Sequence, residues 1–155
     1  MKGNDKIIAS LNDLLAEELT AINQYMVHAE MCENWGYKKL HEVIEKRAIA
    51  EMRHAEKLIA RIIYLEGNPI VSRLNEIHIG QEVQKQFEND LLLEVGAVRH
   101  YNEIIGLASE LGDNGTKDLL EEILSQEEDH IDELESHQDQ IRQMGIANFL
   151  VPQVG

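Results

Sequence analysis

Residues 51–54 read EMRH and residues 127–130 read EEDH, each a glutamate three positions ahead of a histidine. Residues three apart share one face of a helix, so each pair can aim a carboxylate oxygen and an imidazole nitrogen at one divalent ion. A single pair of this kind is an ordinary surface feature, and two arise by chance in a chain this acidic. Their registration is less ordinary. The offset of 76 that separates Glu51 from Glu127 also separates His54 from His130. The same offset carries Glu18 onto Glu94, Tyr25 onto Tyr101 and Gly36 onto Gly112. The chain therefore reads as two related halves, each supplying one Glu and then an E-x-x-H.

All six residues sit among apolar neighbours at helical spacing. Glu18 lies between Leu14, Leu15 and Ile22, and Glu94 between Leu91, Val95 and Val98. Ala48, Ala55 and Leu58 surround Glu51 and His54, while Ile123, Leu124, Ile131 and Leu134 surround Glu127 and His130. Four carboxylates and two imidazoles on interior faces are very costly unless something pairs them. Two divalent metal ions would do so, and this is the ligand set of di-iron carboxylate bundles. Glu17 adjoins Glu18 and competes with it for the inward position. Glu128 and Asp129 are expected to be solvated, and His28, His41, His78, His100 and His137 to be surface or satisfied histidines. Tyr25 and Tyr101 follow Glu18 and Glu94 by seven positions, two turns along the same faces. Core packing and a hydrogen bond to a ligating carboxylate across the bundle both fit that placement.

The elements that must position these residues are helices. Apolar residues recur at helical period from Lys6 to about Trp35, Lys38 to Glu66, Gln81 to Leu111 and Thr116 to Met144. Asn4 or Asp5 can cap the first, and Gly36, Gly67-Asn68-Pro69, Gly112 and Gly145 close the four in turn. Helices of about 30 residues are about 45 Å long. Tight connections at Gly36 and Gly112 make antiparallel pairs. The stretch 67–80, extended, reaches about 45–50 Å, so it can cross the whole bundle and leave the second and third helices parallel. The expected class is all-α: one domain spanning 1–155, a ferritin-like four-helix bundle over 1–145 with one long crossover, and a short C-terminal helix or tail at 146–155. Ile146, Ala147, Phe149, Leu150 and Val151 make that tail too apolar to be exposed. It either folds back on its own bundle or packs on symmetry mates, and the second is expected.

Composition sets the outer limits. The 155 residues are 43% hydrophobic and 28% charged, which suits one soluble domain with a sizeable core. A formal net charge of −15 argues against nucleic-acid binding. The single cysteine, Cys32, excludes an internal disulfide and any Cys-based zinc or iron–sulfur site. No stretch approaches a membrane-spanning length, MKGNDK has no apolar run after it, and a cytoplasmic setting is expected.

The stretches LNDLLAEELTAINQYMVHAEMCENWG, IAEMRHAEKLIARIIYLEGNP, DLLLEV and EILSQEEDHIDELE closely resemble the bacterioferritins, over essentially the whole chain. The resemblance implies a 24-subunit cage that stores iron as a ferric mineral, with a ferroxidase centre inside each subunit. It implies Glu18, Glu51, His54, Glu94, Glu127 and His130 as catalytic iron ligands, with Glu51 and Glu127 bridging two irons. It also implies haem b, one per two subunits, with Met52 as axial ligand. By spacing alone, Met52 points off the core beside Ile49, Ala48, Ala55 and Ile59, where an apolar dimer contact would equally suit it. Fe(II), dioxygen or hydrogen peroxide, and a small ferredoxin for iron release are the implied partners. The sequence departs from the family at Lys46 and Ala50, where a His and an Asp line the cavity surface in some members, and at Arg47, in place of a carboxylate near the centre's outer mouth. A DNA-protecting mini-ferritin and a rubrerythrin-type oxidoreductase are the competing classes. The first builds its site between chains, and the second carries a four-Cys domain that Cys32 alone cannot supply.

Overall fold

The computed structural model describes residues 1–155. It contains α1 (Asp5–Asn34), α2 (Lys38–Tyr64), α3 (Val83–Glu110) and α4 (Asn114–Met144), then α5 (Ile146–Leu150) and a 3-10 turn at Val151–Gln153. There is no strand. Each long helix is within a few residues of its expected bounds.

The helix ends have local causes. The Asn4 side chain accepts from the Lys6 N–H at 2.8 Å and caps α1. Asp113 caps α4 by accepting from the Thr116 N–H at 3.0 Å, and Arg61 of α2 holds the same carboxylate at 2.9 Å. With that cap, α4 takes in Asn114 and Gly115, which the sequence reading left in the turn. At the end of α2 the left-handed residue is Glu66 (φ 62°), not Gly67. The Gly67 N–H bonds back to Ile62 O at 2.9 Å, and a Cβ on Gly67 would fall 2.6 Å from the Ile8 side chain. Glycine is needed there for close approach to α1, and Glu66 bears the strain.

Cross-helix contacts give the directions. Glu17 meets His100 and Cys32 meets Gln86, so α1 and α3 run antiparallel. Arg47 meets Glu133 and Lys57 meets Glu122, so α2 and α4 do as well. His41 Nδ1 meets Ala29 O and Gly3 N–H meets Leu65 O, so α1 and α2 are antiparallel too; α2 and α3 are therefore parallel, and the segment between Tyr64 and Val83 runs the length of the bundle. Its course follows a polar stripe along one face of α1, at spacings of eight, four and four residues. Asn12 accepts from Ile70 N–H at 2.8 Å, Thr20 from Asn75 at 2.8 Å, Gln24 from His78 at 3.1 Å, and His28 Nε2 from Gly80 at 3.0 Å. Each bond satisfies a backbone N–H of a segment with no ladder of its own.

The core is split in two. One apolar cluster gathers Ile7, Leu11, Leu14 and Leu15 of α1 with Leu58, Ile62, Ile104, Leu120 and Ile123. The other gathers Ala21, Ala29 and Cys32 with Leu40, Ile44, Phe87, Leu134 and Phe149. Between them lies a band of buried polar side chains. Phe149 shows that the tail folds back on its own bundle: it is 1% exposed and packs edge-on against Phe87, with ring centres 5.9 Å apart. The expected contact with symmetry mates does not account for this residue. Val151 and Val154 remain outside, 72% and 63% exposed.

Candidate metal centre

The polar band holds all six glutamate and histidine residues singled out in the sequence. Glu18 comes from α1, Glu51 and His54 from α2, Glu94 from α3, and Glu127 and His130 from α4. All are buried except His130, whose side chain is 15% exposed. Of the neighbouring glutamates, Glu18 faces inward and Glu17 does not join the group.

Their atoms converge on two points. His54 Nδ1 lies 2.7 Å from Glu127 Oε1, 3.4 Å from Glu51 Oε2 and 3.6 Å from Glu18 Oε2. His130 Nδ1 lies 2.9 Å from Glu51 Oε1 and 3.3 Å from Glu94 Oε1. One group able to hold a metal ion is thus Glu18, Glu51, His54 and Glu127, and the other is Glu51, Glu94, Glu127 and His130. Glu51 and Glu127 belong to both. Each of the six residues also leaves one buried atom without a hydrogen-bond partner: Oε2 of Glu18 and Glu94, Oε1 of Glu51 and Glu127, and Nδ1 of both histidines. Buried polar atoms are normally satisfied, so six orphans facing one another mark a place for a ligand.

Supporting groups orient them. Tyr101 donates to Glu18 Oε1 at 2.6 Å, and Tyr25 donates to Glu94 Oε1. Each half's tyrosine therefore holds the other half's glutamate, which decides between the two roles left open for these tyrosines. His54 Nε2 donates to Gln126 Oε1 at 2.6 Å and turns Nδ1 inward. No repeat or spacing pointed to Gln126, because its offset partner is Ala50.

Without metal the site is held together by protons. Burial, the Glu51 charge and a hydrogen bond shared with Glu51 push the Glu18 carboxyl well up. Burial and the charges of Glu18 and Glu94 do the same for Glu127. Glu94 is drawn down to about 2: burial works against this, but the neighbouring Glu127 carboxyl and His130 imidazole outweigh it. Burial alone would lower both histidines. The nearby carboxylates of Glu127, Glu18 and Glu51 overcome it and raise His54 far above the usual imidazole range, and those of Glu51 and Glu94 raise His130 to about 9. The raised carboxyls and imidazoles hold protons that offset the charge of the four glutamates, a role that divalent ions would otherwise fill.

One turn along the bundle is a second polar layer that the sequence did not reveal. Arg47 is 2% exposed, with Nη2 2.7 Å from Glu133 Oε1 and Nη1 3.6 Å from Asp90 Oδ2. Asp90 also accepts from Gln24 at 2.8 Å and meets His28 Nδ1 at 2.9 Å. Arg47 thus lies inside the bundle, not at an outer mouth. The opening that reaches the centre is a cavity of about 160 Å³ on the α1–α3 side, lined by Glu17, Asn75 and Gly96 together with all four site glutamates, Glu18, Glu51, Glu94 and Glu127. Met52 is not part of the centre. It is 40% exposed on the outer face of α2, in a groove of about 310 Å³ with Ile22, Met26, Ala29, Ala48 and Ile49.

A helical bundle built around four glutamates and two histidines defines the class of carboxylate-bundle proteins. A family model described as a ferritin-like domain matches residues 8–144. The chain is 42% identical over 149 residues to a bacterioferritin of Brucella melitensis biotype 1, covering 96% of this chain and 92% of that protein. It is 40% identical to a bacterioferritin of Mycolicibacterium paratuberculosis (96% and 94% covered) and 39% identical to one of Rhodobacter capsulatus (96% and 92% covered). The chain belongs to the bacterioferritin branch of the ferritin family.

Proposed function

We propose that this protein stores and detoxifies iron, oxidising Fe(II) to Fe(III) at a centre within each subunit and keeping the product as a ferric mineral inside a 24-subunit cage. The observation that carries the reading is the set of six orphaned buried atoms on Glu18, Glu51, His54, Glu94, Glu127 and His130. In this reading residues 1–155 form one ferritin-like unit in the cytoplasm. Glu18 and His54 serve one Fe(II), Glu94 and His130 the other, and Glu51 and Glu127 bridge the two. Two substrate ions held side by side can each give one electron to dioxygen or hydrogen peroxide, so the electrons leave as a pair. The protein's part is to fix both ions in a water-poor bundle and to move protons off the histidines and carboxyls as the ions arrive. The test is Glu51→Ala and Glu127→Ala: each removes a bridge and should abolish rapid Fe(II) oxidation. Oxidation at the parent rate in either variant would sink the intrasubunit centre.

Haem belongs to the same proposal. The groove around Met52 is mostly apolar, with Glu30 and Glu45 also in its lining, lies on one exposed face and offers a thioether, which fits half of a site completed by a second subunit. Met52 from each of two subunits would hold haem b, one per pair. When bound, haem supplies one-electron chemistry, suited to bringing electrons in for iron release from a donor such as a small ferredoxin.

A further inference from the structure

The offset of 76 that relates the two halves of the centre also relates what stands behind them, and there the halves part. Tyr25 and Tyr101 occupy matching positions and hold Glu94 and Glu18. Behind Tyr101 the packing is apolar, with Leu14, Ile104 and Ile123 in the same buried cluster. The positions that match those three in the other half are Asp90, His28 and Arg47. Asp90 and His28 are fully buried and Arg47 is 2% exposed. The guanidinium carbon of Arg47 stands 5.4 Å from the centre of the Tyr25 ring. Its Nη2 is bonded to Glu133, but Nη1 reaches Asp90 only at 3.6 Å, and Nε, Nη1 and Asp90 Oδ2 have no hydrogen-bond partner. A buried charge paired this loosely is only partly quenched. Arg47 lies four residues before Glu51, Asp90 four before Glu94, and Glu133 three after His130, so each is one helical turn from a proposed ligand. His54 follows Glu51 by three and therefore lies on the other side of it from Arg47. The support of the two histidines differs as well: Gln126 holds His54 Nε2 at 2.6 Å, whereas Ala50 at the matching position has no polar group to offer His130.

We infer that Arg47 is a positioning residue that makes the two ion positions of the centre unequal: acting across Tyr25, it weakens the position of Glu94 and His130 and spares that of Glu18 and His54. Charges in a water-poor interior act on one another over longer distances than charges in solvent. An ion at Glu94 and His130 has Arg47 behind its tyrosine. An ion at Glu18 and His54 has Ile123 at the same station. Asp90 opposes Arg47 and is held in place by Gln24 and His28, so the two residues set the affinity of one position in opposite directions. The ions then load in order, the Glu18–His54 position first. This rests on the two-ion centre proposed above, and one experiment separates the two.

Anaerobic Co(II) titration of the assembled protein, followed by visible absorption and equilibrium dialysis, should give two ions per subunit, bound in two steps. Tyr25→Phe should change the weaker step and so assign it to Glu94. Arg47→Gln should tighten that step by roughly tenfold and leave the other within about twofold. Damage to packing would loosen binding and would not tighten one ion. Arg47→Lys keeps the charge and should keep the parent's two steps. Asp90→Asn should loosen the weaker step alone, and it decides the matter by itself if Arg47→Gln does not assemble. A parent that binds fewer than two ions per subunit would overturn the centre itself, and this role with it. Two equal ions in the parent, no selective tightening in Arg47→Gln, Arg47→Lys behaving as Arg47→Gln, or Asp90→Asn with unchanged or equally changed steps would overturn the role of Arg47 alone.

Discussion

The hydroxyl of Tyr101 on α3 donates a 2.6 Å hydrogen bond to Glu18 on α1, across the bundle and between the two halves of the repeat. Tyr25 makes the reciprocal bond to Glu94. Each bond leaves one carboxylate oxygen of its glutamate committed and the other, Oε2, free. Removing the donor lets the carboxylate rotate, so Tyr101→Phe is expected to weaken Co(II) binding by about tenfold, with the loss confined to the ion that Glu18 serves. Equal loss at both ions, or none, in a Co(II) titration would show that the tyrosine only packs.

Proton balance gives a pH signature. The His54 and His130 imidazoles and the Glu18 and Glu127 carboxyls are all raised in the metal-free protein, so the centre retains protons that divalent ions would displace. Loading two divalent ions should therefore release between about two and four protons per subunit, measurable with an indicator dye in weak buffer. Release of less than one would contradict the charge exchange.

The same shifts predict stability. His130 is raised to about 9 in the folded protein, so its contribution is complete below about pH 6.5 and is lost as pH rises through about 9. Glu18 and Glu127, also raised, act in the same direction from lower pH. Metal-free protein should lose roughly 5 °C or more in Tm between pH 6.5 and 9. Metal-loaded protein should show the opposite slope, because protons compete with the ions.

Arg47 is a buried counter-charge to Asp90, itself fully buried. Truncating one partner of such a pair leaves the other uncompensated, and Arg47→Ala should cost about 3 kcal/mol in denaturant unfolding. Gln24 and His28 still bond Asp90 and limit the loss. Arg47→Ala with Asp90→Ala should recover part of it, and strict additivity in that cycle would mean the two residues are not coupled.

Met52→Leu keeps the groove apolar and removes the sulfur. A low-spin bis-methionine haem spectrum, at up to about one haem per two subunits, should be present in the parent and absent in the variant. Fe(II) oxidation should be retained, since Met52 stands outside the centre. An unchanged haem spectrum would make Met52 a packing residue.

The tail separates folding from assembly. Phe149→Ala empties a core position and should destabilise the subunit by about 3 kcal/mol. Removing 151–155 takes away exposed Val151 and Val154 and should leave the subunit folded while reducing the sedimenting cage. A truncated chain that sediments as the parent cage would remove the tail from assembly.

Much of this protein follows from sequence because its information is periodic. Helical spacing and a few glycines define four long helices, a crossover long enough to cross the bundle forces the parallel pair, and one offset aligns Glu18 with Glu94 and His54 with His130. Those are local properties, carried by 3.6-residue periodicity and chain length. Other features are contacts between helices with no shared period, and only the packed bundle decides them. Examples are Gln126 against His54, Arg47 between Asp90 and Glu133, Glu17 tied to His100 beside an open shaft, and Phe149 seated on Phe87. The choice of Glu18 over Glu17 belongs with them. Both are glutamates at adjacent positions, and a difference of about 100° around the helix becomes a difference in function only once α3 is packed against α1.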